Sequence, residues 1–425
     1  MGYGGRVART ALTTRAAAEA LDAADPLAGF RDRFALGAGR RIYVDGNSLG
    51  PLAHDARAAL KARTDEWRDR LVTGWNEWVA APAAVGDRLA EAALGAAPGQ
   101  VIVSDSTTVN LFKLAGAALD ARPGAIVADA SDFPTDRYVL QGLAHRGGRE
   151  LRMLETDPVA GPQPAEVEAA CTGECALVVL SAVNYRSGAL ARMAEITAAG
   201  HAAGALVLWD LCHAAGAVEV DLDAVGADLA VGCTYKYLNA GPGSPAFLYV
   251  RSALQEELRS PIWGWFSQED QFAMGPTYAP VAGIGRFMAG TPPVLALAAV
   301  DAGAAMLAEA GLGRVREKAV ALTSLAVDLH DERLAPLGFS LGTPREPERR
   351  GAHVSLRHPD AWRICRALIE RAEVVPDFRA PDSIRFGLAP LYTRHVDVWD
   401  AIDRLVGIVE AGEHEAMEYA HRRIT

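Results

Sequence analysis

Seven short, nearly continuous apolar runs occupy the middle of this chain, and helical patterns separate most of them. The runs lie at 101–103, 125–128, 151–154, 176–180, 205–209, 228–233 and 246–250. Strands that are buried on both faces show such runs, and intervening helices are typical of parallel crossovers. We therefore predict an α/β fold with a mostly parallel, doubly covered sheet of seven strands.

Two of these runs end in residues that carry chemistry. Run 205–209 leads to Asp210 and His213, and run 228–233 leads to Tyr235, Lys236 and a glycine-rich turn. Open α/β sheets bind ligands at the carboxyl ends of their strands. An acid and an amine at neighbouring strand ends predict a Schiff base between Lys236 and pyridoxal phosphate (PLP), with Asp210 paired to the pyridinium nitrogen. Lys236 alone is better explained as a solvated lysine, so the prediction rests on the combination.

Other turns at strand ends add candidate binding residues. Thr107 and Thr108 open a helix, where free N–H groups and hydroxyls form a natural phosphate cradle, although a plain helix cap has the same pattern. Phe133 follows another strand and can stack on a flat ring or belong to the core. Ser48 lies in a Gly/Asn/Pro turn after a short strand, and an ordinary turn is the alternative there. Trp75 lies at a break between helices, where it can line a cleft.

The composition limits the classes of function. The chain has 425 residues, half of them hydrophobic, and a net charge of −11. This acidic balance argues against nucleic-acid and membrane-surface partners, and no apolar run is long enough to span a membrane. Five cysteines without paired spacings predict reduced thiols in a cytoplasmic protein and no metal site, with Cys171 and Cys175 possible neighbours on a helix. The first residues predict a frayed arm and a short helix rather than a secretion signal.

Changes along the chain predict three regions. Residues 1–44 form an N-terminal arm and helix that pack with the small domain, residues 45–300 form the large PLP-binding domain, and residues 301–425 form a small C-terminal α+β domain. A long apolar helix over 294–310 is expected to link the two domains. Helices are also predicted over 109–119 and 314–331, and a strand over 338–341. The glycine fingerprints of nucleotide-binding folds are missing, which disfavours a dehydrogenase.

The sequence D-L-C-H-A-A-G, together with C-T-Y-K-Y-L-N-A-G-P-G-S, resembles the kynureninases. These are PLP-dependent enzymes of the class V aminotransferase-like group, with the aspartate aminotransferase fold (fold type I). Further segments match in the same order, from about residue 45 to residue 398. They are D-G-N-S-L-G at 45–50, T-T-V-N-L at 107–111, F-P-T-D at 133–136, G-W-F at 264–266, T-P-P at 291–293, and I-R at 384–385 with A-P-L-Y at 389–392.

The resemblance implies a role for each matching residue. Lys236 would hold PLP, Asp210 would pair with its ring nitrogen and His213 would fix the ring region. The remaining implied contacts are Thr107, Thr108 and Tyr235 with the phosphate, Phe133 with the ring face, Asp136 and Ser181 with its polar surround, Trp265 and Thr291 from the partner subunit of a homodimer with shared active sites, Arg385 with the substrate α-carboxylate, and Ser48, Trp75 and Phe266 with the rest of the substrate.

The implied reaction is the hydrolysis of L-kynurenine, or of 3-hydroxykynurenine, to anthranilate or 3-hydroxyanthranilate and L-alanine. This reaction belongs to tryptophan degradation and NAD biosynthesis. Lys236 would take the α-proton, and Tyr235 would exchange protons in the later steps. Some family members carry Asn at the position of Thr291 and His at that of Trp75, so the preferred ring substituent stays open.

Three alternatives remain on the sequence alone. One is another PLP-dependent lyase or aminotransferase that acts on an aryl-keto amino acid. Another is a cysteine desulfurase-like enzyme, which needs a nucleophilic cysteine in the small domain, where only Cys365 is available. The third is a PLP-binding protein without activity that serves as a scaffold or regulator.

Overall fold

The computed structural model describes residues 13–37 and 39–418. The first twelve residues, which belong to the predicted N-terminal arm, lie outside this range. The strands fall into one sheet of seven, one of four and one of two. They are β1 (Ile42–Tyr43), β2 (Val101–Val103), β3 (Ala125–Asp129), β4 (Leu151–Leu154), β5 (Cys175–Ser181), β6 (Leu206–Asp210), β7 (Leu229–Gly232), β8 (Phe247–Val250), β9 (Ser340–Leu341), β10 (His353–Arg357), β11 (Val374–Val375), β12 (Asp377–Arg379) and β13 (Ser383–Gly387).

The seven-stranded sheet has the order β2-β8-β7-β6-β5-β3-β4. Every neighbouring pair from β7 to β4 is parallel, whereas β8 runs antiparallel to both β7 and β2. The predicted mostly parallel sheet of seven strands is therefore confirmed. Since β8 alone is reversed, six strands present their carboxyl ends at one edge of the sheet, and the loops that leave this edge are brought together.

The side chains of the central strands alternate between two apolar cores. Val178 and Leu180 of β5 belong to the core on one face, and Leu177 and Val179 belong to the core on the other. Successive side chains of a strand point to opposite faces, so a strand covered on both faces is apolar at every position. This is the physical origin of the continuous apolar runs in the sequence.

Helices cover both faces of the large sheet and pack around the smaller ones. They are α1 (Arg15–Ala23), α2 (His54–Arg70), α3 (Trp75–Trp78), α4 (Ala81–Leu89), α5 (Thr107–Ala121), α6 (Pro134–Gly147), α7 (Pro164–Ala170), α8 (Met193–Ala202), α9 (Ser252–Gln255), α10 (Val294–Ala310), α11 (Leu312–Leu329), α12 (Ala361–Arg371) and α13 (His395–Glu410). Between α9 and α10 the chain forms short 3₁₀ turns and an isolated bridge between Gln268 and Pro280, which agrees with the irregular, aromatic sequence there.

Several predicted boundaries differ from those in the structure. Helix α5 begins before residue 109, because the hydroxyl of Ser106 caps it by accepting the N–H of Val109 at 3.4 Å. The strand predicted over 338–341 is confined to β9, since Gly338 has a φ of +88° and ends the preceding turn. The interpretation of Cys171 and Cys175 as helix neighbours is wrong, because Cys171 caps the end of α7 and Cys175 begins β5.

The C-terminal part of the chain forms an antiparallel sheet of order β12-β13-β10-β9. Helices α12 and α13 contribute to its core, and α1 packs on α13, where Asp22 accepts the backbone N–H of His395 at 2.6 Å and that of Val396 at 3.0 Å. The division at residue 300 stays a prediction. Helix α10 and the first half of α11 belong to the core of the large sheet, and the second half of α11 belongs to the small core.

In the part of the chain that the structure describes, no single helix is long and apolar enough to cross a membrane. Among these residues, only α10 taken together with the helical stretch 312–337 has the length and apolar composition of a membrane span, and these two helices are bent by 81° at the break between them.

Candidate active site

The loops that leave the carboxyl ends of the large sheet enclose a cavity of about 380 Å³. It lies where strand ends from β2, β3, β5, β6 and β7 meet the first turn of α5 and a strand of the small sheet. Eleven residues that the sequence predicted for the site line this cavity. They are Ser48, Thr107, Thr108, Phe133, Asp136, Ser181, Asp210, His213, Tyr235, Lys236 and Arg385.

Lys236 and Asp210 follow neighbouring strands, as their sequence context predicted. Asp210 is the last residue of β6 and pairs in register with Val231 of β7, the strand that leads to Lys236. The Nζ atom of Lys236 lies 3.3 Å and 3.5 Å from the two ring nitrogens of His213. Burial, and secondarily the charge of Lys236, hold the pKa of His213 well below its usual value. The imidazole is therefore neutral and can accept a hydrogen bond from the amine.

A group of buried carboxylates surrounds the end of β6. Asp132 accepts the backbone N–H of Ser181 at 3.3 Å, and burial, together with the charge of Asp129, raises its pKa to about 8. Burial, followed by the charges of Asp210 and Asp132, raises the pKa of Asp136 well above its usual range. A bound cationic ring would lower these raised pKa values, because a nearby positive charge favours the ionised carboxylates.

The first turn of α5 forms another wall of the cavity. Thr107 and Thr108 are its first two residues, so their backbone N–H groups have no partner within the helix. A helix N-terminus with two hydroxyl side chains suits a phosphate group. Phe133 faces the same cavity, and its ring makes an edge contact with Tyr185 at a centroid distance of 5.2 Å.

Arg385 of β13 reaches the cavity from the small sheet while remaining 1 % exposed. Its Nε atom donates to Asp377 at 2.6 Å, its Nη2 atom contacts the same carboxylate and donates to Ser48 Oγ at 3.3 Å, and its Nη1 atom donates to the carbonyl of Tyr185. Asp377 lies on β12 and pairs in register with Arg385. A buried guanidinium held in this way is suited to a carboxylate ligand.

The turn at 46–50 packs directly against the Lys236 loop. The N–H of Gly50 donates to the carbonyl of Tyr235 at 2.7 Å. A Cβ atom at Gly50 would lie 2.6 Å from the carbonyl oxygen of Lys236, so this close approach requires glycine. Ser48 in the same turn contacts Arg385, which links the Lys236 loop to the small sheet.

Four residues predicted for the site lie outside the lining of this cavity. They are Trp75, Trp265, Phe266 and Thr291. The ring of Phe266 lies 6.0 Å from that of Trp75 and 4.7 Å from that of Trp265, so these three aromatic side chains form a separate cluster. Trp265 and Thr291 are both exposed on this single chain.

Comparisons with known proteins agree with this geometry. The family model for the kynureninase C-terminal domain matches residues 315–405, and the model for class V aminotransferases matches residues 88–358. A kynureninase from Pseudomonas fluorescens is 43 % identical over 411 residues, which cover 94 % of this chain and 96 % of that protein. The chain belongs to the kynureninase family.

Solved structures of more distant proteins share the fold. A cysteine desulfurase from Thermococcus onnurineus NA1 superposes with a TM-score of 0.79 at 19 % identity, covering 90 % of this chain and 98 % of that one. A C-DES variant with glycine covalently linked to its PLP cofactor superposes with a TM-score of 0.76 at 20 % identity, covering 89 % and 98 %. At these identities the likeness shows the fold alone, and it confirms the predicted PLP-dependent transferase fold.

Kynureninases and class V enzymes depend on PLP, and the cavity fits this cofactor. In addition to Lys236 and the N-terminus of α5, a buried atom supports this fit. Asp136 Oδ2 has no hydrogen-bond partner among the described residues. A buried polar atom in that position favours a bound group that supplies the missing contact.

Some residues that line or support this cavity were not predicted from the sequence. Arg379 lines the cavity, whereas Asp377 supports it by holding Arg385 and Asp132 supports it by holding Ser181. The ring of His353 lies behind that of His213, at a centroid distance of 5.5 Å. Asp132 follows a predicted strand, so its position was a usable signal. The others lie in or beside short strands of the small sheet, where no pattern distinguishes a site residue.

Proposed function

We propose that this chain is a PLP-dependent hydrolase that cleaves L-kynurenine, or its 3-hydroxy form, into anthranilate, or 3-hydroxyanthranilate, and L-alanine. Because the chain belongs to the kynureninase family, one structural observation is enough to support the proposal. Lys236, Asp210 and Arg385, which come from three different elements, line a single cavity beside a helix N-terminus. The same residues supply an amine, an anion and a carboxylate clamp.

The proposed roles follow from the positions of these residues. Lys236 binds PLP covalently, Asp210 pairs with its ring nitrogen, and His213 and Phe133 hold the ring. Thr107, Thr108 and Tyr235 contact the phosphate, with Asp136 and Ser181 in the polar surround. When bound, PLP supplies an electron sink that stabilises negative charge on the substrate carbons next to the amino group.

The residues of the chain then orient the substrate and move its protons. Arg385 binds the α-carboxylate, with Ser48 beside it. The amine of Lys236 takes the proton from the α-carbon. Neighbouring charge at Cys233 and burial raise the pKa of Tyr235, so its hydroxyl stays protonated and can donate a proton at a later step. Water completes the cleavage of the Cβ–Cγ bond, which leaves the aryl carboxylate and L-alanine.

We further propose a homodimer with shared active sites. The segment that contains Trp265 exposes several large apolar side chains, with Trp263 63 % exposed, Phe272 72 % exposed and Met274 74 % exposed. Such a concentration of apolar surface is typical of an interface. In this arrangement Trp265 and Thr291 reach the cavity of the partner, and Trp75 and Phe266 lie near the aryl end of the substrate.

All five cysteines are free and buried. Free thiols are typical of proteins in a reducing compartment, which supports a cytoplasmic role in tryptophan degradation. A desulfurase-like reaction is disfavoured by Cys365, which lies in α12, is 1 % exposed and does not line the cavity.

The test of the proposed function has two parts. Purified protein with PLP should be yellow, and Lys236→Ala should lose this absorbance and at least about 10³-fold in kcat. Incubation with kynurenine should release fluorescent anthranilate and alanine in equal amounts. A wild-type protein that stays colourless with added PLP would contradict the cofactor site, and release of pyruvate or transfer to a keto acid would favour a different lyase or aminotransferase.

A further inference from the structure

A second lysine is buried beside the cavity. Lys113 lies on α5, and its side chain is 0 % exposed. Its Nζ atom donates to Asp105 Oδ2 at 2.8 Å, to the carbonyl of Phe287 at 2.7 Å and to Ser104 Oγ at 3.3 Å. An ammonium group has three N–H donors, so each of them finds an acceptor.

The carboxylate that pairs with Lys113 belongs to the cavity. Asp105 lines the cavity and lies two residues before the start of α5 in the sequence. Its φ is +51°, a left-handed conformation that is uncommon for residues other than glycine. Its carbonyl accepts the N–H of Ala246 at 2.9 Å, and its side chain keeps 28 % of its surface exposed. A phosphate bound at this turn would therefore lie near a carboxylate and be repelled unless that charge were balanced.

Another partner of Lys113, the carbonyl of Phe287, belongs to a different loop. Phe287 ends a 3₁₀ turn, Gly283–Phe287, that leads to Thr291. Lys113 thus ties the cavity turn to the segment proposed to reach the partner subunit. Burying a lysine is unfavourable in itself, because the ammonium loses its hydration. A buried ion pair is therefore weak evidence for a contribution to stability.

We propose that Lys113 is a positioning residue for the phosphate of the cofactor, which neutralises Asp105 and holds the turn at 105–108 in its left-handed conformation. This inference rests on the proposed phosphate position at Thr107 and Thr108. Lys113 acts through Asp105 and does not itself contact the cofactor.

The experiment compares PLP with pyridoxal, which lacks the phosphate, by titrating purified apoprotein and following absorbance. Lys113→Met should weaken PLP binding by about 10- to 100-fold and pyridoxal binding by less than about threefold, because only the phosphate meets the unpaired carboxylate. Adding Asp105→Asn to Lys113→Met should recover at least about tenfold in PLP affinity, since the repelling charge is removed. Lys113→Gln carries the same expectation if the methionine variant does not fold.

The matched control is Lys318, which is also buried and forms an ion pair with Asp25 at 2.6 Å, outside the cavity lining. Lys318→Met should leave the ratio of PLP affinity to pyridoxal affinity at the wild-type value. Equal losses of PLP and pyridoxal binding in Lys113→Met, or no recovery in the double variant, would overturn the proposal.

Failure of the phosphate position itself is distinguished by Thr108→Val. If that variant lowers the ratio of PLP affinity to pyridoxal affinity and Lys113→Met does not, only the role of Lys113 is wrong. If neither lowers it, the phosphate lies elsewhere and both assignments are overturned.

Discussion

The Nζ atom of Lys236 lies 3.3 Å from Nε2 of His213, although the two residues are 23 positions apart in the sequence. Each follows one of two adjacent parallel strands, so the sheet sets their separation. The imidazole is neutral because it is buried and lies beside cationic groups, so it accepts a hydrogen bond from the amine without adding charge. The cavity therefore holds the amine of Lys236 next to a neutral ring.

The neutral histidines predict a loss of stability in mild acid. The pKa values of His213 and His353 are both held well below the usual value, chiefly by burial. Below about pH 6.5 the unfolded chain binds these protons and the folded chain does not, so the free energy of unfolding falls by roughly 1.4 kcal/mol per pH unit for each histidine. Chemical denaturation of apoprotein between pH 7 and pH 5 should show a smaller fall in His353→Leu than in the wild type. Parallel curves would contradict this.

The buried carboxylate of Asp132 predicts the opposite dependence at higher pH. Its pKa is about 8 in the folded chain, because of burial and then the charge of Asp129, against an ordinary value of 3.8. The folded chain holds this proton across that interval and the unfolded chain does not, so stability is lost as the pH rises from about 4 to 8. Asp132→Asn removes this contribution. Chemical denaturation of apoprotein should show that the free energy of unfolding of the variant rises relative to that of the wild type between pH 5 and pH 8, by up to about 4 kcal/mol.

Arg385 is predicted to act on substrate binding rather than on the cofactor. Arg385→Lys keeps a positive charge but loses the bidentate geometry, so kcat/KM for kynurenine should fall about 10²-fold, mainly through KM. Cofactor absorbance should be unchanged. The matched control is Arg357, which pairs with Asp382 at 2.8 Å on the exposed side of the same sheet. Arg357→Lys should stay within about twofold of the wild type, and a fall in kcat alone for Arg385→Lys would argue against a carboxylate clamp.

Shared active sites predict complementation between inactive variants. Lys236→Ala and Trp265→Ala are expected to be inactive or nearly so as separate proteins. If Trp265 serves the partner's cavity, a mixed dimer has one cavity with both defects and one with neither, so mixing should restore up to about a quarter of wild-type activity. The activity is measured after unfolding and refolding the two variants together. No gain over the separate proteins would place Trp265 in its own chain's site or outside any site.

Much of this molecule was predictable from the chain. The continuous apolar runs predicted the parallel sheet, because strands covered on both faces have no polar side. Asp210, Lys236 and Thr107 were predicted as site residues because they follow such runs or open the next helix. Asp377 was not found, since β12 spans three residues and its role depends on register pairing with Arg385.

The sequence by itself thus determined the fold class, the family and the acid and amine at the strand ends, since local patterns of burial and spacing encode them. Only the tertiary structure decided which distant groups meet them. The contact of Lys236 with His213, the hold of Asp377 on Arg385 and the ion pair of Lys113 with Asp105 depend on strand order and on close approach of loops. Side-chain distances of about 3 Å arise from packing in three dimensions, and no spacing along the chain records them.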